Sequence, residues 1–118
     1  MSGTTLYITK NLDYQTHVVN RSEDKLVIVK FSAPWCKPCK TIEPIFLDQA
    51  KQNTDCLFCE LNIDDFEEVT DNESVSSIPC FIAYHNKMRI DKMDGSSSDK
   101  LIQFIKECKE KIGENGEF

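Results

Sequence analysis

Six residues, Leu26–Phe31 (LVIVKF), constrain the fold of this 118-residue chain more than any other segment. The run has the length of a strand and is almost continuously apolar. A strand apolar on both faces belongs in the middle of a sheet that helices cover on either side. Lys30 is the one discordant residue in the run. A lysine buried there needs an ionic partner or a route to water.

The flanking sequence supplies the rest of such a sheet. Thr5–Thr9 is short, β-rich and alternating, Asn11 caps a weak helix through about Val19, and Asn20–Lys25 is polar and turn-like. From Cys36 to about Asn53 the residues Ile42, Ile45, Phe46 and Ala50 share one helical stripe. Pro38 falls in the first turn, where its missing N–H costs little, whereas Pro44 is interior and predicts a kink. Cys56–Ile63 (CLFCELNI) reads as a strand, after which Asp64 or Asp65 caps a short helix carrying Phe66 and Val69.

Past the polar loop Asn72–Ser77, Cys80–Tyr84 and the alternating Met88–Met93 form a hairpin around His85–Lys87, with Pro79 leading into it. Gly95 and Ser96–Ser98 break the chain. A last helix from Ser97 or Ser98 carries Leu101, Ile105, Cys108 and Ile112 at helical spacing, gathers lysines in its final turns and stops at Gly113, so that Glu114–Phe118 is expected to fray. The order β-α-β-α-β-α-β-β-α predicts an α/β fold with one mixed sheet of about five strands and about four helices on its two faces. No repeat, linker or low-complexity segment interrupts it. A single domain over residues 1–118, its core at about 5–112, is expected at this length.

Net charge is −6, and no basic run interleaves with aromatics. That balance argues against nucleic acid and anionic membrane as partners. The start MSGTTLYITK lacks the basic and apolar segments of a secretory leader, and no apolar run approaches the roughly 20 residues of a spanning helix, so a cytoplasmic protein is expected. In a reducing compartment the six cysteines suit catalytic or metal roles better than structural staples.

Cys36 and Cys39 frame the dipeptide Lys37-Pro38 directly after the buried strand and at the start of the helical pattern. Thiol exchange needs a thiolate, and an ordinary cysteine, with a pKa of about 8.5, is mostly protonated at neutral pH. A sulfur at a helix N-terminus meets unpaired N–H groups and the positive end of the dipole, and Lys37 adds a cation. Cys36 is then the attacking residue, and Cys39, one turn on, resolves the mixed disulfide. Pro38 stiffens the intervening dipeptide, and Trp35 offers a flat apolar surface beside the sulfur. A C-x-x-C in this strand-to-helix setting is a redox motif.

A rival reading comes from Cys56 and Cys59, which stand sixteen residues beyond the first pair at the spacing of a four-cysteine zinc site. Residues three apart in a strand point to opposite faces, so this second pair could grip one ion only through a knuckle turn. Neither pair is followed by the glycine or polar residues such turns favour. Cys56, Cys59 and Cys108 otherwise read as small buried hydrophobes, and Cys80, next to Pro79, as a packing residue before a third redox thiol. His17 and His85 stand apart, and the acidic Asp64–Glu68 lacks the alternation and glycine of a calcium loop.

LVIVKFSAPWCKPCKTIEPIF, LNID at Leu61–Asp64 and SIPCFIAYHNKMRIDKMDG at Ser77–Gly95 resemble the thioredoxin family in order and spacing, and the likeness covers about Leu6 to Lys111. The resemblance implies the thioredoxin fold and dithiol-disulfide exchange with other proteins. It also implies a cis Pro79 facing Cys36 and Cys39, where the residues alone show only an X-Pro bond, ordinarily trans. A groove for an extended substrate segment would be formed by Trp35, Lys37 and Pro38 with the backbone around Ile78, Pro79 and Gly95.

Four positions depart from the family pattern. Lys37-Pro38 stands where Gly-Pro is usual, and Ser32 where a tryptophan is usual, so the redox potential is not inherited. Lys30 occupies the place of a buried aspartate, and Glu60 that of its usual lysine partner. An inverted, buried or semi-buried ion pair of Lys30 with Glu60 follows. A cation under Cys39 favours its thiolate and makes the protein more oxidising, with Glu60 partly cancelling the effect. The alternative is that Lys30 snorkels to solvent.

The reading is a thiol-disulfide oxidoreductase acting on protein disulfides through a Cys36–Cys39 couple. It needs no bound cofactor and no metal. Family behaviour implies regeneration by an NADPH-dependent flavin reductase, and a monomer is expected. A catalytically weak binding module of the same fold and a four-cysteine zinc domain are the alternatives.

Overall fold

The computed structural model describes residues 5–116. The apolar run forms β2 (Val27–Ser32), every residue of which is buried. It lies at the centre of a five-stranded sheet of order β1-β3-β2-β4-β5, whose other strands are β1 (Thr5–Ile8), β3 (Leu57–Asn62), β4 (Cys80–His85) and β5 (Met88–Asp94). β3 runs parallel to both β1 and β2 across helical crossovers, while β4 is antiparallel to β2 and to β5. The mixed sheet expected from the element order is the one observed.

Side-chain alternation along β2 divides the core. Val27, Val29 and Phe31 face one way and pack with Cys59, Leu61, Tyr14, Val18 and Phe66. Ile28 faces the other way with Phe58 and Phe81, under α1 (Lys37–Gln52) and α3 (Ser98–Gly116), which contribute Ile42, Phe46, Leu101 and Ile105. Lys30 and Glu60 have the parity of this second face, directly opposite each other in the β2–β3 register. Both are thereby aimed at the underside of α1.

Several boundaries differ from the sequence expectation. The weak first helix is a π turn at Gln15–Val19 that runs on into a 3-10 turn at Asn20–Glu23. Asp13, not Asn11, holds its start, accepting from the N–H and the hydroxyl of Thr16 at 2.9 and 2.8 Å. Neither Asp64 nor Asp65 caps the next helix. Asn62 caps a 3-10 turn at Ile63–Asp65, and Phe66 precedes α2 (Glu67–Asn72) with no side-chain cap. α1 is one helix through Pro44. α3 does not stop at Gly113, which keeps helical backbone; Glu114–Gly116 continue the helix, and residues 117–118 lie outside the described residues.

The hairpin turns through Asn86 and Lys87, whose φ angles of 56° and 65° give the left-handed pair that matches strand twist. Lys87 is a costly residue there. Its N–H and that of Asn86 are held by the hydroxyl and the carbonyl of Ser22, at 2.9 and 2.7 Å. Among the described residues, no helix is long and apolar enough to cross a membrane.

The α1 face of the core turns on Phe46, whose ring centroid lies 5.4 Å from that of Phe58 and 5.7 Å from that of Phe81. Phe46→Ala is expected to cost about 3–5 kcal/mol, the range for an emptied aromatic site. Denaturant unfolding would show this as a lower midpoint at unchanged slope, and a loss under about 1 kcal/mol would mean that the helices close over the gap.

Candidate active site

The turn from β2 into α1 carries the two cysteines. Cys36 is the N-cap residue, extended at φ −89° and ψ 107°, and its Sγ accepts from the Cys39 N–H at 3.2 Å. A sulfur thus takes the capping place more often held by an oxygen. Pro38 sits at the second helical position, where its missing N–H leaves no intrahelical bond unmade. Cys36 and Cys39 are joined by a disulfide, their Cα atoms 5.3 Å apart. Both are buried, packed with Ala33 against Ile63 and Ile78.

The loop before β4 meets this pair from the other side. The Ile78-Pro79 peptide is cis, and the Ile78 carbonyl oxygen lies 3.9 Å from Cys36 Sγ. The Pro79 carbonyl accepts from the Gly95 N–H at 2.9 Å, which links this loop to the end of β5. Gly95 has φ +106°, a conformation that costs glycine little, so its place in this contact is set by backbone shape. Trp35 is 66% exposed, and its indole N–H donates to Asp64 at 3.1 Å. Lys37 and Pro38 are exposed beside it. Asp64, read in the sequence as a helix cap, instead steadies the tryptophan.

Lys30 does not reach solvent; it is 1% exposed. An ammonium has three N–H donors, and three acceptor groups surround it here. They are the Cys39 carbonyl at 2.9 Å, the Glu43 carboxylate and Glu60 Oε2 at 3.4 Å. The Lys30–Glu60 pair foreseen from the sequence is present, and Glu43 is a partner that the sequence reading missed. The signal was available, because Glu43 follows Cys39 by four residues and adjoins Ile42 on the buried stripe of α1.

One cation serves two carboxyls, and they respond differently. Burial pushes Glu60 up, Lys30 opposes and Glu43 adds to the rise, leaving Glu60 at about 7. Burial acts upward on Glu43 as well, but the hydrogen bond and charge of Lys30, with a hydrogen bond from Tyr7, hold it below its ordinary value. Glu43, in direct contact with Lys30, keeps its charge, and Glu60 takes up the proton.

The four cysteines of the zinc spacing are not brought together. Cys36 and Cys39 are bonded to each other, Cys59 belongs to the core on one face of the sheet, and Cys56 packs against the core on the other. Burial pushes the thiols of Cys59, Cys80 and Cys108 up to about 12 and that of Cys56 to about 11. Cys80, although next to Pro79, is fully buried in the core.

The sign of the Glu60 shift sets a pH dependence. A carboxyl raised from 4.5 to about 7 holds its proton in the folded chain and loses it on unfolding. Stability from this group is full below about 4.5 and is lost as pH rises through about 7. The lowered Glu43 acts only below the ordinary carboxylate range, outside this window. Glu60→Gln should therefore gain stability relative to the parent between pH 5 and 8, by a few kcal/mol at most. Denaturant titrations at the two pH values check this, and a difference that does not change with pH would contradict it.

Comparison with known proteins agrees with this geometry. The family model for thioredoxin matches residues 5–107. Thioredoxin 1 of Plasmodium falciparum is 38% identical over 84 residues, 71% of this chain and 81% of that protein. Human thioredoxin is 34% identical over 84 residues, 71% of this chain and 80% of that protein. Among solved structures, Schistosoma mansoni thioredoxin superposes with a TM-score of 0.79 at 31% identity, covering 88% of this chain and 94% of that one. A thioredoxin of Nicotiana alata gives 0.80 at 26% identity, covering 91% and 94%. With a disulfide at the head of α1, a thioredoxin fold around it and relatives of this similarity, the chain belongs to the thioredoxin family and is a thiol-disulfide oxidoreductase.

Proposed function

We propose that Cys36 is the attacking sulfur and Cys39 the resolving one in exchange with protein disulfides. The observation that carries this assignment is the N-cap position of Cys36. Its sulfur receives the Cys39 N–H at the positive end of α1, so that negative charge on it is stabilised. The Cys36 thiolate attacks one sulfur of a substrate disulfide, forms a mixed disulfide and expels the other substrate sulfur as thiolate. Cys39, as thiolate, then attacks Cys36 Sγ, releasing the second substrate sulfur and leaving the Cys36–Cys39 disulfide. Two electrons have passed to the substrate.

The groove is formed by Trp35, Lys37 and Pro38 with the backbone of Ile78, Pro79 and Gly95. The exposed indole and the cis peptide beside Cys36 support this reading, since an extended segment laid along Ile78–Pro79 would bring its own sulfur to Cys36. An NADPH-dependent flavin reductase would return the disulfide to the dithiol. We place the protein in the cytoplasm as a single-domain monomer that binds neither nucleic acid nor membrane, in keeping with its acidic charge of −6.

Lys30 and Glu60 act here on Cys39. With Glu43 as well, the cation under Cys39 faces two carboxyls, and its one contact with Cys39 is to the carbonyl. Lys30 is therefore a positioning residue that holds the first turn of α1 to the sheet, its effect on the thiolate largely offset by Glu43 and Glu60.

Two measurements test these roles. In a redox titration with alkylation and peptide mapping, Cys36 and Cys39 should titrate as one two-electron couple while Cys56, Cys59, Cys80 and Cys108 stay reduced. Failure of the pair to titrate together would refute the couple. Cys39→Ser should accumulate a mixed disulfide with a peptide disulfide substrate, and Cys36→Ser should not; the reverse would exchange the two roles. An unchanged midpoint in Lys30→Asp would remove Lys30 and Glu60 from the redox chemistry.

A further inference from the structure

Behind Cys39 lies an open cavity of about 680 Å³, a volume that suits a small molecule. Its lining includes Cys39 but not Cys36, Trp35, Ile78, Pro79 or Gly95, so it is separate from the substrate groove. Leu47, Pro44 and Leu61 give it apolar walls, and Lys30, Glu43 and Glu60 are the buried or half-buried charged groups among its lining.

Charge and hydrogen bonds within it do not balance. Lys30 is one cation against two carboxyls; it donates to the Cys39 carbonyl and to Glu43, and it forms an ion pair with Glu60 Oε2 at 3.4 Å. The Tyr7 hydroxyl from β1 is committed to Glu43 at 3.0 Å. Lys40 and Asp65, also in the lining, offset each other. Glu60 Oε1 is buried with no hydrogen-bond donor, although its residue is only 7% exposed. One acceptor and up to one negative charge are therefore left over beside an apolar space, where an unmet carboxylate is costly.

We propose that this cavity binds a small molecule with a protonated primary amine on an apolar body, the ammonium donating to Glu60 and the body lying against Leu47 and Pro44. A carboxylate or phosphate ligand would meet the carboxyls of Glu43 and Glu60 around Lys30 and would add to the surplus negative charge. A proton on Glu60 is the natural competitor for the amine, because it cancels the same charge. The position of Glu60 near neutrality, set by burial with Lys30 and Glu43 facing it, makes that competition visible in an ordinary pH range.

The test uses benzylamine as the probe and the isotope-labelled full chain, followed by amide chemical shifts. Saturable shifts are expected at Ser32, Ala33, Leu47 and Leu61 at pH 8, with affinity about tenfold weaker at pH 6 as Glu60 fills with its proton. Glu60→Gln should weaken binding at pH 8 by about tenfold or more, and benzoate should produce no shift at these residues. Should Glu60→Gln fail to give a folded spectrum, the pH comparison and benzoate on the unaltered chain decide the matter. Absence of saturable shifts with benzylamine, equal affinity at both pH values, equal affinity in the folded Glu60→Gln chain, or equal binding of benzoate would each overturn the proposal.

Discussion

A lysine in the central strand is the constraint around which this molecule is arranged. Burying an ammonium costs several kcal/mol unless it is paired, and Lys30, fully enclosed in β2, has three acceptor groups around it. One acceptor is the opposite residue on β3, one a side chain of α1, and one the main-chain carbonyl of Cys39. The first turn of α1 is thereby tied to the middle of the sheet at the residue that carries the second sulfur. Apolar packing of similar volume would serve stability at least as well. What the cluster adds is orientation, since two hydrogen bonds to α1 and an ion pair to β3 define the seat of the helix more narrowly than contact between aliphatic side chains.

The other half of the site is set by backbone, with little help from side-chain polarity. The cis Ile78-Pro79 bond turns a carbonyl toward Cys36, and the Gly95 N–H holds the Pro79 carbonyl from the end of β5. The disulfide thus sits between a helix N-terminus, held from below by Lys30, and a loop held from the side by a neighbouring strand. Trp35 is fastened to Asp64 and remains largely exposed. The other four cysteines are withdrawn into the core or its margin, where burial pushes their thiols toward the protonated form.

Three of the four positions that depart from the family pattern, Lys30, Ser32 and Glu60, fall together in space. Lys30 and Glu60 are a charge inversion across two paired strands, and Ser32 leaves a small side chain where a tryptophan is usual. With Glu43 they line one cavity behind Cys39. A change from acid to base in β2 demands acid nearby, and two carboxyls supply it. The small serine leaves space above them. These three substitutions, scattered along the chain, are one local rearrangement of charge and volume.

Much of this was legible in the chain itself. The apolar run Leu26–Phe31 determined a central strand because no other place in a sheet buries both faces. The element order determined a mixed sheet, and C-x-x-C at a strand-to-helix turn determined the chemistry. These are local properties, set by side-chain period and by what a helix start does to a sulfur. Even the Lys30–Glu60 pair could be foreseen, as a charge of each sign in two buried strands. What the linear pattern left open depends on contacts between distant segments. Glu43 had no assigned role until α1 settled over β2, Asp64 looked like a helix cap until the indole of Trp35 took its carboxylate, and Gly113 looked like a helix stop although its backbone stays helical. Whether the four cysteines of a zinc spacing meet was decided by packing, which places Cys59 in the core on one face of the sheet and Cys56, in the bend before β3, against the core on the other. Sequence determines which groups must be buried; only the packed structure decides which partners then satisfy them, because that choice depends on distances the chain sets when it closes on itself.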